Sequence, residues 1–389
     1  MATRVWAALA VVVCAPAGAV DYQVHGYAAQ GFVYTDENNF FGESSDGSFD
    51  YYEAGLNGAV QVRPNLLISA QAAIRDAGIS DDGSLRLDYA LADYRLVSEG
   101  TIQAGLRAGK IKNNLGFYNE TRDVVFTRPS ILLPSVYSDN QNQRSLIFTA
   151  PGGQFYASTV TGAHEWSLTG TVNAERDVRK SDERLLINLT VPFDLRIGDS
   201  WNLQLMDSVD GGRWQFAYSY FTGQFRLKTA PEVTIAGRFD VDLNVFSVRH
   251  NAERFTITAE YVLVGNKNYV TFQGIPIVRT DIVADGAYLQ GEYRINKEWG
   301  AMARIDGFFR NRHDRDGREF AAANPGADRH GQFSHDLTVG LNWRPDEHWG
   351  VWGEYHWING TATLQGLENP PPIRDHRWSM LMLMAGYKF

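Results

Sequence analysis

The chain has 389 residues, a net charge of −9 and 13% aromatic residues. That acidic balance speaks against general nucleic-acid binding, which draws on a basic surface. Hydrophobic residues reach 44%, yet mean hydropathy is −0.29, and past residue 19 no apolar run is long enough to span a membrane as a helix.

The first element is MATRVWAALAVVVCAPAGAV. Arg4 precedes an apolar stretch, Val5 to Cys14, and Ala17-Gly18-Ala19 offers small residues for cleavage. Together they predict a secretory signal peptide over residues 1–19. Cys14 is the only cysteine, so the chain beyond the signal is expected to hold no disulfide, thiolate metal site or cysteine nucleophile. Losing Arg4 takes the net charge from −9 to −10. No linker or shift in composition divides residues 20–389, which predicts one domain.

Alternating apolar and polar residues then predict strands near 24–34, 50–62, 66–76, 84–97 and 101–110, because successive side chains of a strand point to opposite faces. The alternation in 84–97 changes phase midway, the mark of a bulge or of a misplaced boundary. It then stops altogether. GKIKNNLGFYNETRDVVFTRPSILLPSVY, residues 109–137, carries charges of both signs, two prolines and a group of bulky apolar residues. Alternation returns near 144–161, 164–175, 183–192, 212–227, 238–250, 254–264, 283–296, 299–310, 333–344, 348–358 and 376–389. In 214–221, Trp214, Phe216, Tyr218 and Tyr220 oppose Gln215, Ala217 and Ser219. In 238–246, Phe239, Val241, Leu243 and Val245 oppose Arg238, Asp240, Asp242 and Asn244. The count is about 16. Residues 193–211 are the least regular and leave room for a further hairpin, for 18 strands.

Such strands suit either a soluble sandwich, with the apolar face on a core, or a transmembrane barrel, with that face on lipid. Three features favour the barrel. Many segments run about ten residues, the length a tilted strand needs to cross hydrocarbon. Short hairpins, VRPNLL (62–67), VRHNAERF (248–255), RINKEWG (294–300) and WRPDEHWG (343–350), alternate with long polar stretches at 36–50, 310–332 and 360–376. Tyr293, Trp299, Trp343 and Trp349 flank the short turns, where an aromatic girdle belongs. Finally, RWSMLMLMAGYKF closes the chain with Leu381, Leu383, Ala385, Tyr387 and Phe389 on one parity. The expected fold class is all-β: a transmembrane antiparallel β-barrel of about 16 strands, too wide for its own side chains to fill.

The terminal aromatic strand resembles that of bacterial outer-membrane proteins. The Gly-Lys-x-Lys opening of the 109–137 stretch and its Tyr-Asn-Glu-Thr-Arg-Asp segment resemble outer-membrane porins, of the general trimeric and phosphate-selective (O/P-type) families. The chain shows no ladder of arginines, and its long loops are not lysine-rich. The resemblance implies an outer-membrane channel for passive diffusion of small hydrophilic solutes or ions. It implies a homotrimer and contact with outer-membrane lipid and lipopolysaccharide. It also implies that the barrel-assembly machinery reads Tyr387 and Phe389, and that residues 109–144 fold inward as a constriction loop. Ala28-Ala29, Ala70 and Ala72 are small enough for a neighbouring wall to pack against.

Within that loop Lys110, Lys112, Arg122 and Arg128 outnumber Glu120 and Asp123. Strand parity places Arg75, Arg107, Arg238 and Arg304 on the lumen side. A positive excess predicts a mild anion preference; the other reading is that these arginines pair with nearby carboxylates and brace the loop. Asp314, Asp316 and Glu319, and Asp81-Asp82, are the acidic sets a divalent cation would use, although solvated acidic loops look the same. His313, His330 and His335 lack ligand spacing. No nucleophile elbow, phosphate loop or dinucleotide fingerprint is present in the sequence. No enzyme activity, metal or cofactor is expected. The alternative functions are a surface binding protein or adhesin anchored by its barrel, and a soluble secreted sandwich.

Overall fold

A computed structural model describes residues 21–137, 147–180, 182–183, 192–229, 234–370 and 375–389. The expected signal peptide, the end of the expected loop at 138–144 and most of the expected strand at 183–192 lie outside the described residues.

The strands are β1 (Asp21–Thr35), β2 (Tyr52–Arg63), β3 (Leu66–Asp76), β4 (Arg86–Glu99), β5 (Ile102–Lys112), β6 (Thr149–Thr161), β7 (His164–Asn173), β8 (Arg176–Asp177) and β9 (Phe193–Val209). They continue as β10 (Trp214–Thr229), β11 (Ile235–Asn251), β12 (Phe255–Phe272), β13 (Ile275–Arg294), β14 (Trp299–Phe309), β15 (Phe333–Trp343), β16 (Trp349–Gly360) and β17 (Arg377–Lys388). Sixteen of them pair antiparallel, each with its neighbours, into a closed ring; the two-residue β8 pairs only with β9 and stays outside it. The seam joins β1 to β17 from Tyr27 opposite Lys388 to Thr35 opposite Met380. Gly26 and Phe389 add two backbone hydrogen bonds at its end, 3.2 and 3.0 Å.

The four short hairpins of the sequence are the β2–β3, β11–β12, β13–β14 and β15–β16 connections, all at one end of the barrel. The long polar stretches lie at the other end. Trp299 stacks on Trp343 with ring centroids 5.8 Å apart, and Trp349 meets Tyr387 at 5.1 Å, both beside short turns. Val24, Leu56, Ile68, Leu106, Phe155, Leu205, Phe216, Leu289, Leu337 and Leu383 are exposed on the outer wall. This is the apolar belt that a bilayer requires.

The segment 193–211 holds one long strand, β9, and no extra hairpin, so the count of 18 falls. Its irregularity has a cause. Opposite β10 the register slips between Gly223 and Phe225, so Gly198 and Asp199 together face Gln224 alone. Such a bulge shifts parity by one residue. Trp201, Leu203 and Leu205 face out, whereas Leu195 and Ile197 turn inward and are buried. In β4 the phase change is two register shifts, between Gln71 and Ala72 against β3 and between Arg95 and Val97 against β5.

Strands β9 to β13 run 16 to 20 residues, the remaining ring strands 10 to 15. The β12–β13 tip closes through Gln273 (φ 48°) and Gly274 (φ 79°). Two positive φ values in a two-residue turn match the right-handed twist of the flanking strands. The buried apolar residues form clusters inside the ring, where the chain between β5 and β6 enters it.

Candidate functional site

Residues 113–137 leave β5 and cross the barrel interior. At its root Lys112 bridges Asp88 of β4 (2.9 Å) and Asp123 of the loop (2.7 Å). Gly116 takes φ 57°, and a Cβ there would lie 2.1 Å from the Tyr137 hydroxyl. A side chain at that turn would separate the two ends of the loop.

Wall carboxylates hold the loop by its backbone. Glu260 of β12 accepts from the Phe117 N–H (2.9 Å) and the Tyr137 hydroxyl (2.5 Å), and also from Ser247 and Tyr288. Asp306 of β14 accepts from the Ser135 N–H at 2.6 Å and its hydroxyl at 2.5 Å. Glu354 of β16 accepts from the N–H groups of Ile131 and Leu132. Asn202 of β9 donates to the Asn114 carbonyl at 2.8 Å. Charge-assisted bonds of this kind are about twice as strong as neutral ones.

Apolar packing completes the attachment. Val125, Phe126 and Ile131 join Tyr27, Trp352 and Met380, Met382 and Met384 of the wall. Leu115 and Phe148 join Leu195, Ile197, Phe221 and Leu243. Leu133, Val136 and Tyr137 join Val245 and Val262.

The charges of the loop are turned into this seat. Arg128 is buried and pairs with Glu53 of β2 at 2.9 Å, and Arg75 approaches the same carboxylate at 3.7 Å. Arg75 also lies over the Phe41 ring, 5.0 Å from its centroid. Arg122 is buried over Phe148 at 4.2 Å and donates to the Tyr137 carbonyl at 3.2 Å. Asp123 is buried, and its carbonyl accepts from the Tyr27 hydroxyl. Lys110 donates to the Leu87 carbonyl of β4. Glu120 is exposed, its carbonyl 3.2 Å from Lys112 Nζ.

Of the four strand arginines, three face inward. Arg304 donates to Ser130 Oγ (3.1 Å) and the Leu132 carbonyl (3.0 Å). Arg107 pairs with Asp93 and Gln154, both at 2.9 Å. Arg238 does not join them. On β11 the apolar Leu243 and Val245 point inward against the loop, and Ser247 reaches Glu260. Arg238 therefore faces out, half-exposed beside Asp240 at 2.9 Å. Parity was sound there, but which face is wet was inverted, because the loop gives the inside an apolar lining.

The acidic loop sets are used internally. Asp81 binds Arg86 at 2.6 Å. Asp314 caps the short helix Arg318–Ala323 through the N–H groups of Glu319 and Phe320, and Asp316 pairs with Arg318. Among the described residues no group of three or more His, Cys, Asp or Glu is placed to hold a metal ion. His330 stacks on His376 at 4.1 Å, while His335 lies against Phe309.

Glu260, Asp306 and Glu354 were not singled out by sequence. Each is one acid on the polar face of an alternating strand, and nothing in its neighbours marks it as a loop anchor.

The chain matches no family model and no curated protein. Solved structures do match. The outer-membrane channel DcaP of Acinetobacter baumannii superposes with TM-score 0.54 at 12% identity, over 95% of this chain and 97% of that one. OmpF of Salmonella typhi, solved with daunomycin, gives 0.57 at 10% identity, over 95% and 97%. The fold is that of outer-membrane porins. The outer-membrane protein OmpT of Vibrio cholerae superposes with TM-score 0.54 at 11% identity, over 96% and 99%.

Proposed function

We propose that the protein is an outer-membrane porin through which small hydrophilic solutes or ions diffuse passively. The observation that carries this reading is a closed barrel, apolar outside, with a loop anchored across its interior by wall carboxylates. A barrel of this width encloses a lumen rather than a filled core. In this setting the short-turn end faces the periplasm, and residues 1–19 serve for export. Tyr387 and Phe389, exposed on the last strand, serve as the assembly signal, and the outer belt meets lipid and lipopolysaccharide.

Lys112, Arg122, Asp123 and Arg128 form the constriction by fixing the loop's path, with Lys110 on β5 and the exposed Glu120 at its edge. A mild anion preference rests instead on Arg249 and Arg344, which form no close ion pair among the described residues, although Glu292 acts on both at longer range. The protein is a channel and not an enzyme. A homotrimer is the assembly we infer. It is supported by the OmpT structure solved in a trimer form, and by Ala28, Ala70 and Ala72 in the wall of β1 and β3.

Purified protein in a planar bilayer tests the reading. Stepwise conductance is expected, with a reversal potential in a salt gradient of the sign for anions. Silence from a folded barrel would overturn it and favour an anchored surface binder.

A further inference from the structure

Beneath the loop, at the short-turn end of the lumen, lies a cavity of about 530 Å³. Tyr118, Phe126 and Pro129 form its roof; Arg249 of β11, Glu292 of β13 and Arg344, next after β15, stand on its wall. The size suits a small organic ligand.

Its arginines stand on an open cavity wall, whereas Arg304, which also forms no ion pair among the described residues, is buried against Ser130 and the Leu132 carbonyl. Arg75, Arg86, Arg107 and Arg128 all pair with carboxylates. Arg249 forms no ion pair among the described residues. Its guanidinium lies over Phe117 (4.5 Å) and Tyr118 (5.0 Å), and its Nε donates to Thr258 at 3.2 Å. Arg344 likewise forms none; it donates to the Phe126 carbonyl at 3.3 Å and lies over Trp352 at 5.8 Å. Glu292 is held by Gln290 at 2.9 Å and pairs with neither arginine. The lining as a whole carries six cations against three carboxylates, so the chamber is net positive, under an aromatic roof. Guanidinium forks match carboxylate geometry, and rings offer a flat apolar group a stacking surface.

We propose that this cavity binds a small organic carboxylate carrying a flat apolar group. The carboxylate sits between Arg249 and Arg344, with the apolar group under Tyr118 and Phe126. Its place on a transport path rests on the porin reading; the binding itself does not. Binding must be weak enough for release from a passive path, which sets the dissociation constant on the order of 1 mM.

Equilibrium dialysis of labelled benzoate against the detergent-folded protein decides it. The expected result is saturable uptake at one site per chain. Equimolar chloride and benzyl alcohol should not displace it, and Arg344→Gln should weaken it at least about tenfold, as expected for a buried or half-buried charged contact. Arg249→Gln should do the same; Arg344 is the safer variant because its bond to the loop is the 3.3 Å contact with the Phe126 carbonyl, away from the loop root. Unsaturable uptake would overturn the proposal, as would displacement by chloride, or uptake unchanged in a folded Arg344→Gln protein. A bilayer measurement on the same preparation separates the two claims. A silent barrel with saturable, arginine-dependent uptake keeps the site and removes the channel. A conducting barrel without saturable uptake removes only the site.

Discussion

Glu53 serves two arginines at once, Arg128 from the loop and Arg75 from the neighbouring strand, with all three side chains buried. Replacing one member of a buried ion pair costs roughly 3–5 kcal/mol, less here to the extent that Asp81, 3.9 Å from Arg75, takes up part of the charge. Glu53→Gln is therefore expected to lower the urea midpoint of the folded barrel and to open residues 113–137 to proteolysis. Because Glu53 already cancels its charge, Arg128→Gln should raise conductance by loosening the loop while leaving the sign of the reversal potential unchanged. A reversed sign would make Arg128 a selectivity determinant. At the outer mouth, Glu368 accepts from the N–H groups of Gly42 (3.0 Å) and Ile79 (2.8 Å), tying three loops together. Burial pushes its carboxyl above the ordinary 4.5. A raised acid is penalised when charged, so the clamp is firm below pH 4.5 and loosens as pH rises through the folded-state value. Glu368→Gln keeps an acceptor and drops the charge. Hydrogen exchange at Gly42 and Ile79 should be slower in that variant at neutral pH, and equal to wild type in acid.

At the scale of single elements, the seam and the bulged strands are the informative ones. Phe389 lays its ring over Gly26, where a Cβ would come within 2.4 Å of it. Gly26→Val or removal of Phe389 should reduce the yield of heat-modifiable, folded barrel, since either breaks the last contact of ring closure. Phe221 of β10 is fully buried under the loop; Phe221→Ala should cost about 3–5 kcal/mol, read as a lower unfolding midpoint. The same elements show what the sequence reveals. Alternation is legible wherever lipid lies on one side and water on the other, as in Trp214 to Tyr220, and from it come the barrel and the short turns; the count still comes to 16 because β9 takes the place in the ring expected of 183–192. It misleads where the loop replaces water. There Phe239 to Val245 face inward, Arg238 faces out, and the β9 bulge hides a strand inside the segment that looked least regular. The loop itself is legible as a break in alternation. Its anchors are not, because Glu260, Asp306 and Glu354 became partners only when distant chain segments met.

Taken whole, the molecule is a ring whose interior is organised by one inserted segment, and the trimer we infer would pack through its outer wall. Light scattering of the detergent complex should return three times the protomer mass, with conductance appearing in steps of three; a monomeric mass would retire the trimer. The ring is also uneven. β13 has 20 residues where β3, across the barrel, has 11, and the short turns keep one rim level. At about 3.3 Å per residue and a tilt of about 40° the excess raises the opposite rim on one side by roughly 20 Å. The mouth is thus a sheltered inlet with a tall back wall and a low sill. The low side, β14 to β17 and β1 to β3, is the side that carries the long 36–50, 310–332 and 360–376 connections, so loops rather than strands make up its height, while β9 to β13 stand as a bare wall opposite.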